Sequence, residues 1–543
     1  MCAAARASDL RMTRFSRLVV VGAAACSAAR VQPPAAPPHA AAPAPAPVSI
    51  PVAAPPSTTD VPGAVASTAL ADAERSVVAE PVTYVFRASR MTNLLYVLDC
   101  LAGLQPCSTA AFATSWPAAA WKPDDDSAIA AWKLLHHARG SVGDHAAQAG
   151  PPLPLPYHAH GVADAVVVAG YGARDLDDYA ARLAVLVNET DTATARAIAA
   201  RFESRASDRW QATRAGLVAA LEEYVALAAR PDVRVLAASI ARLYRVPAAG
   251  MRQTFELVAR PRHASGSNAR QLGDLGVVEV TIGDAVTHQF AVVTHEMFHA
   301  WFAASPIEDQ IALVERFASS ADPIATAAYG MLDEALATAL GNGLVARAVT
   351  PAEYEQRARI PRGLYDDRFI DAVAKALLPA LEARLAAGRS VFDDDFVPEY
   401  LRAVHTGVPD GLPPIAHLRP MACAMDPSLH EAARYLQQVS RASHVESTDG
   451  APEAAELFRQ RRAWGKAILW TRSNLAALRP LVDQATLAAL RRQAKAGAPF
   501  VLTMRGSPGG FVFVLIADDD AAARKLIDAF AAQPRVREGV FVP

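Results

Sequence analysis

The sequence predicts an α+β fold that is predominantly helical, with a helical N-terminal region, a mixed central unit and a small α/β domain at the C-terminus. Three observations predict it. Residues Leu176 to Tyr244, and again about 284 to Val404, repeat Ala, Leu and Val at helical spacing with charged residues between them. Few β-like runs precede residue 300, chiefly Thr83–Ala88, Thr254–Ala259 and Gly276–Ile282. Near the C-terminus, Phe500–Arg505 and Phe511–Ala517 flank GSPGG, the pattern of a hairpin. With 543 residues, 52% of them hydrophobic, the chain is long enough for roughly two to four domains with cores of their own.

Taken in order, the chain opens with Arg14 and Arg17, an apolar stretch from Leu18 to Ala25, and small residues after it. That is the layout of a secretory signal peptide over residues 1–30. Ala23-Ala24-Ala25-Cys26 resembles a bacterial lipobox, which would lipidate Cys26; ordinary cleavage near residues 25–29 is the alternative. Either way the expected location is the bacterial periplasm or, as a lipoprotein, the outer membrane. Residues 31–75 are rich in Pro and Ala, the composition of an extended spacer.

A mainly helical region over 76–250 follows, then a central unit over 251–410 and an α/β domain over 411–543. The run AVVVAG before Gly170 reads as strand-like, and Gly170-Tyr171-Gly172 as a turn. Gly283-Asp284 should open a helix that ends before Pro306, residues 307–320 a further helix, and Asp322-Pro323 another that continues through Gly341-Asn342-Gly343. Thr350-Pro351-Ala352-Glu353 reads as a capping box. HTGVPDGLPP, residues 405–414, marks the last boundary, with helices expected at 451–463, 473–497 and 519–533.

Composition excludes some functions. Lys plus Arg total 53 against 55 acidic residues, without the basic excess of a nucleic-acid binder. Five cysteines are too few for a disulfide scaffold, although an exported chain would permit a Cys100–Cys107 bridge. No apolar run approaches the roughly 18 residues of a spanning helix, so membrane contact is expected only through a lipid on Cys26.

The chemistry lies in THEMFHAWF. His295 and His299 are four apart, so on a helix both imidazoles leave one face a turn apart and can reach one Zn²⁺. Glu296, offset by one position, can instead take a proton from a metal-bound water. A catalytic zinc needs a third protein ligand. The metzincin extension is excluded, because Phe302 and Ser305 stand where Gly and His are required. Glu308, Glu315 and Glu334 remain as candidates.

With Glu334 in GMLDEALATALGNG, residues 330–343, the chain resembles the gluzincins, zinc metallopeptidases whose HExxH is completed by a Glu from a following helix. The resemblance covers residues 252–345. It implies a zincin-like catalytic domain, Zn²⁺ held by His295, His299 and Glu334, and Glu296 as the general base of peptide-bond hydrolysis. Ala335, Ala337, Ala339 and Gly341 are small enough for close approach of the two helices. Thr338 occupies a position where some gluzincins carry an Asp that contacts a zinc-bound His, and Asp333 is a substitute for that contact. The stretch 276–282 resembles the zincin edge strand, to which an extended peptide adds. Tyr365, ahead of Tyr400 and His405, is the expected oxyanion donor. A peptide or protein substrate is the implied partner. Two other functions fit the same residues: a zinc-binding zincin fold without peptidase activity, and a non-enzymatic envelope binding protein.

Overall fold

The computed structural model describes residues 72–80, 82–104, 121–136, 162–246, 251–260, 269–272, 275–442, 444–506 and 509–543. The expected signal peptide with Cys26, nearly all of the spacer, and Cys107 lie outside the described residues. What is described is mixed α/β and mostly helical, arranged around two sheets. No helix among the described residues is long and apolar enough to cross a membrane.

The first sheet contains β1 (Ala73–Ala79), β2 (Val82–Ala88), β3 (Met251–Arg260), β4 (Ala269–Leu272) and β5 (Leu275–Thr281), in the spatial order β1-β2-β3-β5-β4. β2, β3 and β5 run parallel, with Arg87 opposite Glu256 and Val258 opposite Glu279. β1 and β4 flank them antiparallel. Three expectations change here. The spacer stops short of residue 75, because β1 starts at Ala73. The division expected at 250 runs through a sheet, since β2 before it pairs with β3 after it. Finally, β5, expected as the edge strand, is an inner strand, and the outer position belongs to β4.

Apolar side chains cover both faces of this sheet. On one face Tyr84, Phe86 and Phe255 pack against Leu217, Leu221 and Tyr224 of the long helix Glu189–Ala229 and against Phe290 of the helix Val286–Ala303. The Phe86 ring lies 5.3 Å from Tyr224 and 5.4 Å from Phe255, contacts each worth about 0.5–1.5 kcal/mol beyond the area they bury. On the other face, Leu94 and Leu98 of the helix Arg90–Leu101 meet Val166 and Val168 of the helix Val162–Gly170. That second helix contains the AVVVAG run expected as a strand. Residues 165–170 are all buried, and a short run that is apolar all round has no period to separate strand from helix. Cys100, buried in this layer, is disulfide-bonded.

Further along, the helix Ile307–Ser319 forms as expected. The next one begins at Ala325 rather than Pro323, because Asp322 closes the preceding turn by accepting the Ile324 N–H at 3.1 Å. Helix Pro351–Arg359 also forms, with Pro at its first position, but its capping box does not. The Thr350 hydroxyl instead donates to the Ala346 carbonyl at 3.2 Å, and Glu353 pairs with His288.

The C-terminal domain has a six-stranded sheet of its own, with β6 (Pro420–Met425), β7 (His444–Thr448), β8 (Gly465–Thr471), β9 (Phe500–Arg505), β10 (Phe511–Ala517) and β11 (Gly539–Phe541) in the order β11-β9-β10-β8-β6-β7. The β9–β10 hairpin matches the expected residues. The helix expected over 473–497 is two pieces, a 3₁₀ turn Arg472–Leu478 and the helix Gln484–Ala494. Pro480 lies between them, and proline clashes with the turn before it in a helix interior.

Candidate metal centre

The helix Val286–Ala303 rises directly from β5 through a turn at Gly283, whose φ of +91° favours glycine. Almost its whole circumference is covered, since it packs between the sheet and the helices that follow. His295, Glu296 and His299 are therefore only 2%, 7% and 3% exposed. Polar groups buried to that degree need partners.

Glu334 comes from the helix Ala325–Ala337, which continues as a π-helical stretch, Thr338–Val345. Its wider turn is typical of functional positions. Ala335, Ala337 and Ala339 are fully buried. At Gly341 the two helices meet backbone to backbone: a Cβ there would stand 2.7 Å from both Cα and N of His295. Only glycine permits this approach, and it brings Glu334 to the histidines.

Three donor atoms converge. His295 Nε2 and His299 Nε2 are 3.1 Å apart, and Glu334 Oε2 lies 3.5 Å from the first and 3.6 Å from the second. A tetrahedral ion about 2.0–2.1 Å from each donor sets neighbouring donors about 3.3 Å apart. These three residues thus fit one metal ion, and among the described residues they are the group that could hold one.

Charge is arranged around them. His299 Nδ1 lies 2.9 Å from Asp333 Oδ1, an ion-pair distance with the two atoms off the hydrogen-bond line. Burial works against protonation of His299, but Asp333 and Glu334 outweigh it and hold its pKa well above that of an ordinary imidazole. Glu334 shows the converse. Burial would raise its pKa, yet the His299 charge and the close contact with His295 hold it below the usual carboxylate range. Glu296 is shifted upward, chiefly by burial, with His295 and His299 opposing. Asp333 therefore makes the contact that Thr338 lacks the charge to make; Thr338 is buried with its hydroxyl unpartnered.

The Tyr365 ring stacks on His295, with centroids 5.7 Å apart and planes 19° apart. Its loop is pinned from two directions. Asp371 accepts the N–H groups of Arg362, Leu364 and Tyr365 at 3.0, 2.8 and 3.3 Å. Asn342 of the π-helical stretch donates to the Leu364 carbonyl at 3.0 Å. The other candidates lie elsewhere. Tyr400 is a core residue whose hydroxyl donates to the Ala328 carbonyl, and His405 is exposed against Asp322. Glu308 and Glu315 are exposed, Glu315 being paired with Arg462.

Sequence reasoning missed Asn342 and Asp371. Asn342, between two glycines, had a local signal in its composition, whereas Asp371 had none. No family model, curated protein or solved structure matches this chain.

Proposed function

We propose that this chain is an exported zinc metallopeptidase of gluzincin type with a zincin-like catalytic domain. One observation carries the reading: two helical imidazoles from HExxH and a carboxylate from the following helix converge at tetrahedral donor spacing. His295, His299 and Glu334 would hold the ion, and Asp333 fixes the orientation of His299. A bound Zn²⁺ supplies Lewis acidity and lowers the pKa of water.

The remaining roles belong to the chain. Glu296 is not one of the three converging donors, and its burial raises its affinity for a proton. It accepts a proton from water and passes it to the leaving amine. Tyr365, stacked on His295, would donate a hydrogen bond to the oxygen where charge develops. An extended peptide adds to β4, the antiparallel outer strand that packs against the HExxH helix. The disulfide at Cys100 agrees with an oxidising compartment, in keeping with a periplasmic or lipid-tethered protein.

The test is incubation of the zinc-loaded protein with a library of unstructured peptides, with new termini read by mass spectrometry. Cleavage should stop on chelation and return with added zinc. Cleavage that persists in chelator, or none at all from a zinc-loaded chain, contradicts the peptidase reading. The second result would leave a zinc-binding fold without this activity.

A further inference from the structure

We propose that Arg419 is a positioning residue of this centre, and that the C-terminal domain acts on it by clamping the Tyr365 loop. The proposal rests on the peptidase reading. Arg419 and Pro420 stand where the C-terminal domain begins its first strand, β6. They touch the two elements that carry Glu334 and Tyr365.

The first is the Glu334 helix. A Cβ on Gly330 would stand 2.4 Å from Pro420 Cδ and 3.2 Å from Arg419 Cβ. Gly330 lies four residues before Glu334, one turn away on the same side of the helix. The second is the Tyr365 loop, where the Arg419 guanidinium pairs with Asp367, both side chains largely buried at 14% and 13% exposed. Asp367 is already fixed as the N-cap of the helix Arg368–Ala387, accepting the N–H groups of Phe369 at 2.9 Å and Ile370 at 3.3 Å.

Tyr365 therefore sits between two sets of pins. On its N-terminal side Leu364 is held by Asn342 and Asp371. Two residues after it, Asp367 is held by Arg419. The first set belongs to the metal-site unit itself and the second reaches in from the other domain. Without Arg419 the Asp367 end of the loop keeps only its helix-capping bonds, and the Tyr365 ring gains freedom to drift from His295. This assigns a task to residues 411–543, whose described residues contribute no ligand to that group.

The experiment compares Arg419→Ala, Arg419→Lys and Asp367→Asn in the full chain. Asn keeps a capping oxygen at 367 and loses the charge. We expect wild-type zinc content in all three, faster amide exchange at 360–367 in Arg419→Ala and Asp367→Asn, and kcat lowered about 10- to 100-fold with little change in KM. Arg419→Lys should recover most of the loss. A purely structural pair would instead lower activity only in proportion to the folded fraction, and that outcome overturns the proposal. So does unchanged exchange at 360–367. If the wild type cleaves no peptide, the peptidase reading fails, while the exchange comparison still decides whether the clamp exists.

Discussion

Glu296→Gln should retain zinc and lose turnover, with kcat on a peptide substrate falling about 10²- to 10⁴-fold. The expectation follows from its position. Glu296 is 7% exposed and lies within the fields of His295, His299, Glu334 and Asp333, yet it is not one of the three converging donors. Burial makes its carboxylate a stronger base, the direction that proton transfer near neutral pH requires. Gln has the same shape and cannot take up a proton, so the loss isolates that function from packing. Steady-state kinetics alongside metal analysis checks it, and turnover within a fewfold of wild type would remove Glu296 from the mechanism.

Gly341→Ala should damage the metal site from outside it. The added methyl would meet Cα and N of His295 at 2.7 Å, and both are backbone atoms that cannot rotate away. The helices must separate, at a cost of about 1–3 kcal/mol typical of overpacking. Because donor geometry has to hold within about 0.5 Å, zinc affinity should fall at least about tenfold. Gly343→Ala is the control: its Cβ would meet the end of the Leu378 side chain at 2.9 Å, which can shift. Competition with a chelator of known affinity, together with thermal melts, reads both variants. Equal behaviour of the two would mean that the Gly341 contact does not set the ligand spacing.

The parts of this architecture that local pattern announces were legible in the sequence. Val286–Ala303 follows a β-like run and ends before a proline, and His295 and His299 share a face by spacing alone. The β9–β10 hairpin carries its own turn residues. What stayed hidden depends on distant partners. β4 has four residues among turn formers and becomes a strand only by pairing Arg270 with Val277. The strands β6 and β8 are buried nearly throughout, so neither alternates. Pairing of β2 with β3 joins segments separated by six described helices, which is why the expected division at 250 fell inside a sheet. The same distinction holds at the site. Glu334 and Asp333 were within reach of a motif, whereas Asp371 and Arg419 act through contacts with no local signature.

Metal content of the purified full chain after zinc reconstitution, measured by mass spectrometry beside Glu334→Ala, tests the central claim most directly. The account predicts stoichiometric zinc in the wild type and zinc lost or loosened in the variant, as expected when one of three converging donors is removed. Zinc fully retained by Glu334→Ala would place the third ligand elsewhere. A wild-type chain that takes up no zinc would contradict the metal centre itself.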